Sequence, residues 1–250
     1  MKEITAFKLK INPLSRSEFL SIIQSGLKDN KKLVQIGINS ASVNESVKNS
    51  EFRQAINSAD LVNIDGISVL LALRFLGFKV PERVATPDLA DDIIAMSEKE
   101  GFSIFLFGAT ESTVILCDKR LKVDYPKLKI SGRRNGFYTV SEEKSIIDLI
   151  NKSKPDILLI AMPSPKKEIF FHKYGNQLNA RYILGVGGYF DVMAGLTRRA
   201  PRWIQTLGLE WLYRFVQEPR RLWRRYLVGN IKFIWLASQE KIMNLRNHHD

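Results

Sequence analysis

The amino-acid sequence predicts an α/β fold, in which a mostly parallel sheet is flanked by helices and followed by a helical C-terminal appendage. Three observations lead to this prediction. Short apolar runs alternate with amphipathic stretches through the first two thirds of the 250-residue chain, as strands joined by helices do. Several runs, such as Ile157–Ala161, are apolar throughout, which is typical of parallel strands buried on both faces. The composition then changes near Thr197, where a basic, tryptophan-rich segment begins.

Each apolar run is predicted to be a strand. The seven strands are Ile4–Lys10, Leu33–Gly37, Leu61–Ile64, Ser103–Phe107, Leu128–Ser131, Asp156–Ala161 and Tyr182–Val186. The helices predicted between them are Ser15–Leu27, Val43–Ser58, Ser68–Phe75, Pro87–Lys99, Glu111–Val123, Glu142–Asn151 and Lys166–Tyr174. Pro87 suits a first helical turn, because its missing N–H would have no partner there. The pattern is Rossmann-like, and residues 1–196 are predicted to form one core.

Residues 197–250 form the predicted appendage. They contain 11 Lys and Arg against 4 Asp and Glu, and all four tryptophans of the chain. Pro219 should divide the segment into two short helices rather than one long one. Tryptophan together with arginine suits a membrane interface. The same aromatic residues could instead pack on the core or on a second subunit.

The charge and composition limit the class of protein. A net charge of +12 favours an anionic partner: nucleic acid, phospholipid or a phosphorylated substrate. The single cysteine, Cys117, excludes an internal disulfide and suits a reducing compartment. Because the chain shows no signal peptide and no apolar run long enough to span a bilayer, we expect a cytoplasmic protein. Three histidines without ligand spacing, and no Asp-x-Asp triplet, predict neither a metal nor a cofactor.

The candidate site lies just beyond the predicted strands, since ligands of open α/β sheets bind at the carboxyl ends of the strands. Asp65 follows Leu61–Ile64 directly. It could be a general base facing a cleft, or it could cap the next helix. The glycines within Gly185–Gly188 permit close approach of a phosphate or a sugar. Their spacing matches neither a dinucleotide fingerprint nor a P-loop.

Other classes of function are considered from the same features. Charge alone would allow a nucleic-acid-binding protein, but no recognition motif accompanies the basic segment. The glycines would allow an oxidoreductase, but their pattern is incomplete. We therefore expect no nucleic-acid partner and no nicotinamide cofactor. A catalytically inactive lipid-binding scaffold remains an alternative that only activity can exclude.

Short motifs occur in order between about residues 33 and 227. They are Asn39, Ile64–Ile67, Glu82–Val84, Asp88-Leu89, Phe107-Gly108, Pro165–Glu168, Gly185–Asp191, Ala194-Gly195, Arg199–Trp203, Gly208–Arg214, Glu218–Arg221 and Arg224–Tyr226. Together they resemble the bacterial WecG/TagA/CpsF glycosyltransferases. The resemblance implies inverting, metal-independent transfer of a hexose-type sugar (N-acetylmannosamine, its uronic acid or a related hexose) from a UDP-sugar to a polyprenyl-diphosphate-linked sugar in cell-surface polysaccharide synthesis. It also implies an appendage that contacts the inner face of the cell membrane and covers the active site.

The same resemblance implies an aspartate base at Asp65. Asn39 is expected to hydrogen-bond a sugar or the acceptor. Arginine suits a diphosphate because its planar fork binds phosphate oxygens in pairs, and the candidates are Arg83, Arg214, Arg221 and Arg224. The expected donor-site residues are Gly187, Gly188 and Asp191, together with Lys167 and Glu168. Phe137 would stack on uracil, or would instead be a core aromatic residue.

Two residues depart from the family pattern. Thr86 stands where the family usually has glycine, and Lys167 stands where it usually has glutamine. Lys167 could pair with a phosphate or with the carboxylate of a uronic acid. Both residues fall near the expected sugar site, so the donor or acceptor could differ from those of better-known members. The expected partners are a UDP-sugar, a lipid-linked acceptor and the membrane surface, and a homo-oligomer is left open.

Overall fold

The computed structural model describes residues 2–246 and contains eight strands. They are β1 (Ile4–Ala6), β2 (Leu9–Ile11), β3 (Leu33–Ile38), β4 (Leu61–Ile64), β5 (Ser103–Gly108), β6 (Lys129–Arg134), β7 (Ile157–Ala161) and β8 (Tyr182–Gly185). Six of them form one parallel sheet in the order β4-β3-β8-β7-β5-β6. The predicted fold class is confirmed, because this sheet contains all the predicted strands except the first.

The first predicted strand, Ile4–Lys10, is wrong as a single strand. Strands β1 and β2 form a separate antiparallel hairpin in which Ile4 lies opposite Ile11. The chain reverses at Phe7 and Lys8, whose φ angles of 56° and 59° lie in the left-handed region. Neither residue is the Gly, Asn or Asp that usually marks such a turn, so the residue types gave no signal of the reversal.

Within residues 2–246, thirteen α-helices connect and cover the strands. They are α1 (Arg16–Lys28), α2 (Ser40–Lys48), α3 (Ser50–Asn57), α4 (Ile67–Phe75), α5 (Thr86–Glu100), α6 (Glu111–Asp124), α7 (Glu143–Lys152), α8 (Lys166–Tyr174), α9 (Tyr189–Met193), α10 (Arg202–Thr206), α11 (Glu210–Gln217), α12 (Pro219–Trp223) and α13 (Gly229–Arg246). The single helix predicted over Val43–Ser58 is wrong. Asn49 ends α2, and its side chain accepts a hydrogen bond from the Phe52 N–H, so it also begins α3.

Two hydrophobic clusters lie on the two faces of the sheet. One includes Phe52 and Phe170, and the other includes Phe19 and Cys117. Cys117 is completely buried, and burial raises the pKa of its thiol to about 12. A thiol in this environment is a packing residue and not a nucleophile.

The appendage runs back across the carboxyl edge of the sheet. Helix α11 ends at Gln217 and α12 begins at Pro219, so the predicted break at this proline is confirmed. A π-helical segment, Arg224–Val228, then leads into α13. Tyr226 in this segment packs against the rings of Trp211 and Phe215, which lie one turn apart on α11.

Helix α13 has two apolar faces. Phe233 and Ala237 are buried against the core, and the Phe233 ring lies 5.5 Å from the ring of Phe7 in the hairpin turn. On the other face, Ile231 is 70% exposed and Trp235 is 60% exposed. Ile242 continues this exposed face and is spaced for the same side of the helix. No helix within residues 2–246 is long and apolar enough to cross a membrane.

Candidate active site

The carboxyl ends of β3 and β4 bring Asn39 and Asp65 side by side. Gly66 makes this approach possible, since a Cβ atom at position 66 would lie 2.8 Å from the Asn39 Cβ. A side chain there would force the two strand ends apart. The glycine after Asp65 is therefore part of the site.

The Asp65 carboxylate is held by a neighbouring helix. Its Oδ1 atom accepts a hydrogen bond of 2.7 Å from the backbone N–H of Thr86, the first residue of α5. The expected alternative, a cap on the next helix, is not formed: α4 begins after Gly66 with no side-chain cap. Asp65 thus binds the N-terminus of α5 instead, and it lines a cleft. One oxygen orients the carboxylate, which leaves the second for other contacts.

Asn39 has a fixed orientation of its own. Its side-chain oxygen accepts hydrogen bonds from the N–H groups of Ala41 and Ser42, at 3.0 and 3.2 Å, and so caps α2. Because the oxygen is used in this way, the amide NH₂ is the part of Asn39 that can bind a hydroxyl group in the cleft.

A series of buried polar side chains, joined by hydrogen bonds, lies beneath the site. The Tyr182 hydroxyl donates to Gln35 Oε1 at 2.8 Å, and Gln35 Nε2 donates to Asn63 Oδ1 at 3.0 Å. Asn63 Nδ2 then donates to the Val84 carbonyl at 2.7 Å, which positions the loop before α5. Burial raises the pKa of Tyr182 well above its usual value, so its hydroxyl remains a neutral donor. These hydrogen bonds were not predicted from the sequence, although polar residues inside apolar strands were a signal for them.

Gly37 and Thr86 fit together at the base of the site. A Cβ atom at position 37 would lie 2.2 Å from Thr86 Oγ1 and 3.3 Å from the Asp65 Cβ. The Thr86 hydroxyl therefore occupies space that a side chain at position 37 would need. The absence of a side chain at Gly37 therefore accommodates the Thr86 side chain.

The appendage covers the carboxyl edge and encloses a cleft of about 150 Å³ above Asp65, which we call the Asp65 cleft. The predicted site residues Asn39, Asp65, Arg83 and Arg214 all line it. Trp211 and Tyr226 line it from the appendage side, and Asn230 lies at its end. The structure thus brings a carboxylate and an amide of the core together with arginines from both parts of the chain.

Glu210 links the appendage to the core. Its carboxylate lies 3.1 Å from Arg83 Nη2 and 3.4 Å from Arg199 Nη2. Arg199 in turn pairs with Asp88 on α5 at 2.5 Å. The side chains of Arg83, Arg199 and Glu210 are each less than a fifth exposed, so these ion pairs are largely shielded from water. Glu210 and Arg199 both belong to the sequence motifs, but no role was predicted for either residue.

Asp91 lies on the same side of α5. Burial raises the pKa of Asp91 to about 6, and the positive charge of Arg199 opposes this shift. The Tyr189 hydroxyl donates a hydrogen bond to the Asp91 carboxylate. This contact joins α5 to α9, the helix that follows the glycine-rich turn.

The glycine-rich turn after β8 reaches the same cleft through Arg214. A Cβ atom on Gly188 would lie 3.6 Å from Arg214 Nη2 and 3.9 Å from Asp191 Oδ2. Gly187 adopts a φ of 56°, which glycine tolerates without strain. Gly188 is therefore close to both the Asp191 carboxylate and a guanidinium group of the appendage.

Lys167 and Glu168 form a buried pair at the start of α8. Their side chains are 8% and 1% exposed, and the Lys167 ammonium group donates to both the Glu168 carboxylate and Ser164 Oγ. Glu168 Oε2 has no hydrogen-bond partner among the described residues. Because its charge is already paired, Lys167 does not present an isolated cation in this conformation.

Phe137 and Arg224 do not line the Asp65 cleft. Phe137 is 71% exposed, so the alternative that it is a core aromatic residue is wrong. Arg224 lines a second cleft, which shares no lining residue with the Asp65 cleft. Arg221 falls in α12, but its side chain is outside the described part of the structure. Within residues 2–246, no group of three or more His, Cys, Asp or Glu side chains could hold a metal ion.

A carboxylate and an amide beside arginines, beyond the carboxyl edge of a parallel sheet, suit an enzyme that deprotonates a hydroxyl group next to a phosphorylated substrate. Comparison with known proteins shows which family of enzymes this is. Residues 4–247 match the model of the Glycosyl transferase WecG/TagA/CpsF family. The chain belongs to this family and is a glycosyltransferase.

Two curated relatives carry the same name, N-acetylglucosaminyldiphosphoundecaprenol N-acetyl-beta-D-mannosaminyltransferase. The chain is 32% identical to the protein of Bacillus spizizenii over 183 residues, which cover 73% of this chain and 70% of the relative. It is 30% identical to the protein of Bacillus subtilis over 182 residues, with the same coverage. The matched lengths therefore include most of both proteins.

Proposed function

We propose that the protein transfers an N-acetylmannosaminyl or closely related hexosyl group from a UDP-sugar to a polyprenyl-diphosphate-linked sugar, in the synthesis of a cell-surface polymer. The names of the two relatives support the sugar and the lipid-linked acceptor. The observation that carries the proposal is the Asp65 carboxylate, oriented by the Thr86 N–H and placed beside Asn39 in a cleft lined by Arg83 and Arg214.

The proposed reaction is a single displacement with inversion. Asp65 accepts the proton of the acceptor hydroxyl as its oxygen bonds to the anomeric carbon of the donor sugar. The bond from that carbon to the diphosphate breaks, and its electron pair leaves with UDP. Asn39 orients the attacking sugar through its amide NH₂, so that hydroxyl, anomeric carbon and leaving oxygen lie in line.

The departing diphosphate is the second requirement of this reaction. We propose that Arg83 and Arg214 stabilise it without a metal ion, because two guanidinium groups can bind several phosphate oxygens at once. Arg83 is paired with Glu210 in the structure, so the diphosphate would share or replace that partner. Arg221 and Arg224 remain proposals for phosphate contacts, and Arg224 would act from the second cleft.

The donor is proposed to bind between the glycine-rich turn and the exposed Phe137. Gly187 and Gly188 permit close approach of the sugar, and Asp191 would accept hydrogen bonds from its hydroxyl groups or from the ribose. Phe137 offers an exposed ring on which uracil could stack. Lys167 and Glu168 form an ion pair with each other. They would contact the donor once contacts to the donor replace part of that ion pair.

The appendage is proposed to bring the enzyme to the inner face of the cell membrane, where a lipid-linked acceptor resides. Its exposed apolar residues support this location, since Ile231 and Trp235 face away from the core. Arg214 of α11 would bind phosphate groups of the substrate from the same segment. In this proposal residues 197–250 act as both a membrane contact and a part of the active site.

The central test replaces Asp65 by Asn, which keeps the size and the hydrogen bond from Thr86 but removes the proton acceptor. Turnover with UDP-N-acetylmannosamine and a soluble N-acetylglucosaminyl diphospholipid analogue should fall by about 10²–10⁴-fold. The matched control is Asp148→Asn, which changes an exposed aspartate of α7. Near-normal turnover by Asp65→Asn would remove Asp65 as the base.

A further inference from the structure

A second cleft, of about 420 Å³, lies between α2 and the end of the appendage. We call it the Lys48 cleft. Lys48 and Glu45 line it from α2, whereas Trp223, Arg224 and Lys232 line it from the appendage. Its volume is within the range of small-molecule sites, about 300–1,000 Å³. Apart from the phosphate contact proposed for Arg224, the proposed reaction assigns no ligand to this cleft.

The Lys48 cleft is separated from the Asp65 cleft by a line of contacts between α2 and α13. Ser40 Oγ donates to Asn230 Oδ1 at 3.1 Å, and Asn44 Nδ2 donates to the Gly229 carbonyl at 2.7 Å. The cleft therefore exists only where the appendage is docked on the core, because each part supplies one wall.

The walls of the Lys48 cleft are positively charged. Lys48, Arg224 and Lys232 are all exposed, and Glu45 is the only carboxylate among the described residues that line the cleft. Among the described residues, none of these three cations forms an ion pair with a carboxylate. The Arg224 guanidinium stacks 5.2 Å above the Trp223 ring, which restricts its position. Three cations around one small volume favour an anionic group such as a phosphate.

The surface around the Lys48 cleft is apolar. Trp223 and Val228 are each more than 40% exposed, Leu227 is 54% exposed, and Ile231 is 70% exposed. A freely soluble anion would gain nothing from these side chains. A phosphate attached to a hydrocarbon chain would use both features, with the phosphate among the cations and the chain against the apolar rim.

We propose that the Lys48 cleft binds the phosphate of a lipid at the membrane surface. The proposal rests on the proposed function in taking a membrane as the place of reaction. The lipid phosphate could belong to a bilayer phospholipid or to the polyprenyl diphosphate itself. Helix α2 links the two clefts, with Asn39 at its start and Lys48 at its end. Its nine residues span about 13 Å, so the lipid phosphate would lie at roughly that distance from Asn39.

The test compares two charge-reversed variants of the full chain. Lys48→Glu combined with Lys232→Glu alters the cleft, whereas Lys119→Glu combined with Lys127→Glu changes exposed lysines on and beside α6 by the same net charge. Sedimentation with vesicles of phosphatidylglycerol and phosphatidylcholine measures binding. We expect the cleft variant to bind at least about 20-fold more weakly than the unchanged protein, since each lysine near an anionic surface contributes about fivefold. The control variant should bind almost as well as the unchanged protein.

Two soluble probes identify the source of the phosphate. Calorimetry with a short-chain phosphatidylglycerol below its micelle concentration tests a bilayer lipid, and a short-chain polyprenyl diphosphate tests the acceptor. Binding of either probe that is lost in the cleft variant supports the proposal and names the source. The proposal is overturned if neither probe binds, or if the control variant loses vesicle binding as severely as the cleft variant.

Transfer to a soluble acceptor in the absence of vesicles separates this proposal from the proposed function. Lys48 and Lys232 do not line the Asp65 cleft, so the cleft variant should retain its turnover on a donor and acceptor that lack a long lipid. If even the unchanged protein transfers no sugar, the proposed function fails, and the vesicle experiment still decides whether the cleft binds lipid phosphate.

Discussion

At the scale of single residues, the site depends on how closely Gly37 and Thr86 approach each other. The Thr86 backbone holds the Asp65 carboxylate, and its side chain fills the space above Gly37. A change at either position therefore affects the packing beneath the proposed base. This packing can be tested directly, because the residue at position 37 can be enlarged while the residue at position 86 is made smaller.

Gly37→Ala should destabilise the protein by about 1–3 kcal/mol, since its methyl group overlaps the Thr86 hydroxyl. Adding Thr86→Gly should recover much of this loss, because it removes the overlapping atom and retains the N–H that binds Asp65. Urea denaturation of the two single variants and the double variant measures the coupling. Simple additivity of the two single changes would contradict the proposed contact.

At the scale of elements, α11 is held on the core by Glu210, which pairs with Arg83 and Arg199. Glu210→Gln keeps the size of the side chain but removes the charge shared by both arginines. We expect a loss of about 1.5–3 kcal/mol in stability and faster amide hydrogen exchange along α11. Arg202→Gln, an exposed change in the neighbouring helix α10, is the matched control. Unchanged exchange in α11 would show that other contacts hold the helix.

The elements also show what the sequence could predict. Buried parallel strands were recognisable because every residue in a run such as Ile157–Ala161 is apolar. The β1–β2 hairpin was missed because Phe7 and Lys8, which adopt positive φ angles at its turn, are not residues that usually mark a turn. The break between α2 and α3 was missed because Asn49, unlike Pro219, does not exclude a helical conformation. Strands and helices were thus predicted well where the residue types allow only one backbone conformation.

The residues of the candidate site were likewise predictable only where the local sequence identified them. Asp65 and Asn39 could be identified because they follow neighbouring strands directly, and Arg83 and Arg214 because they belong to recognisable motifs. The roles of Glu210 and Arg199 could not be predicted, since they depend on where the appendage packs against α5. Contacts between residues more than 100 positions apart are decided by tertiary packing, which leaves no local pattern.

At the scale of the whole molecule, the appendage is expected to take part in the reaction as well as in membrane binding. Arg214→Gln removes an arginine that lines the Asp65 cleft and should lower turnover on a soluble acceptor by about 10²-fold. Arg220→Gln changes an exposed arginine of α12 and is the matched control. Steady-state kinetics without vesicles measures both. Equal turnover by the two variants would reduce the appendage to a membrane anchor.

The contact between the β1–β2 hairpin and α13 joins the two ends of the described chain. The Phe7 N–H donates to Glu240 Oε1 at 3.0 Å, across a separation of 233 residues. During synthesis the hairpin leaves the ribosome long before its partner helix. A chain that stops before α11 would thus lack both this contact on its first turn and Arg214 in the Asp65 cleft. The emergence of α13 consequently sets the earliest moment at which the hairpin and the proposed site are both fully assembled.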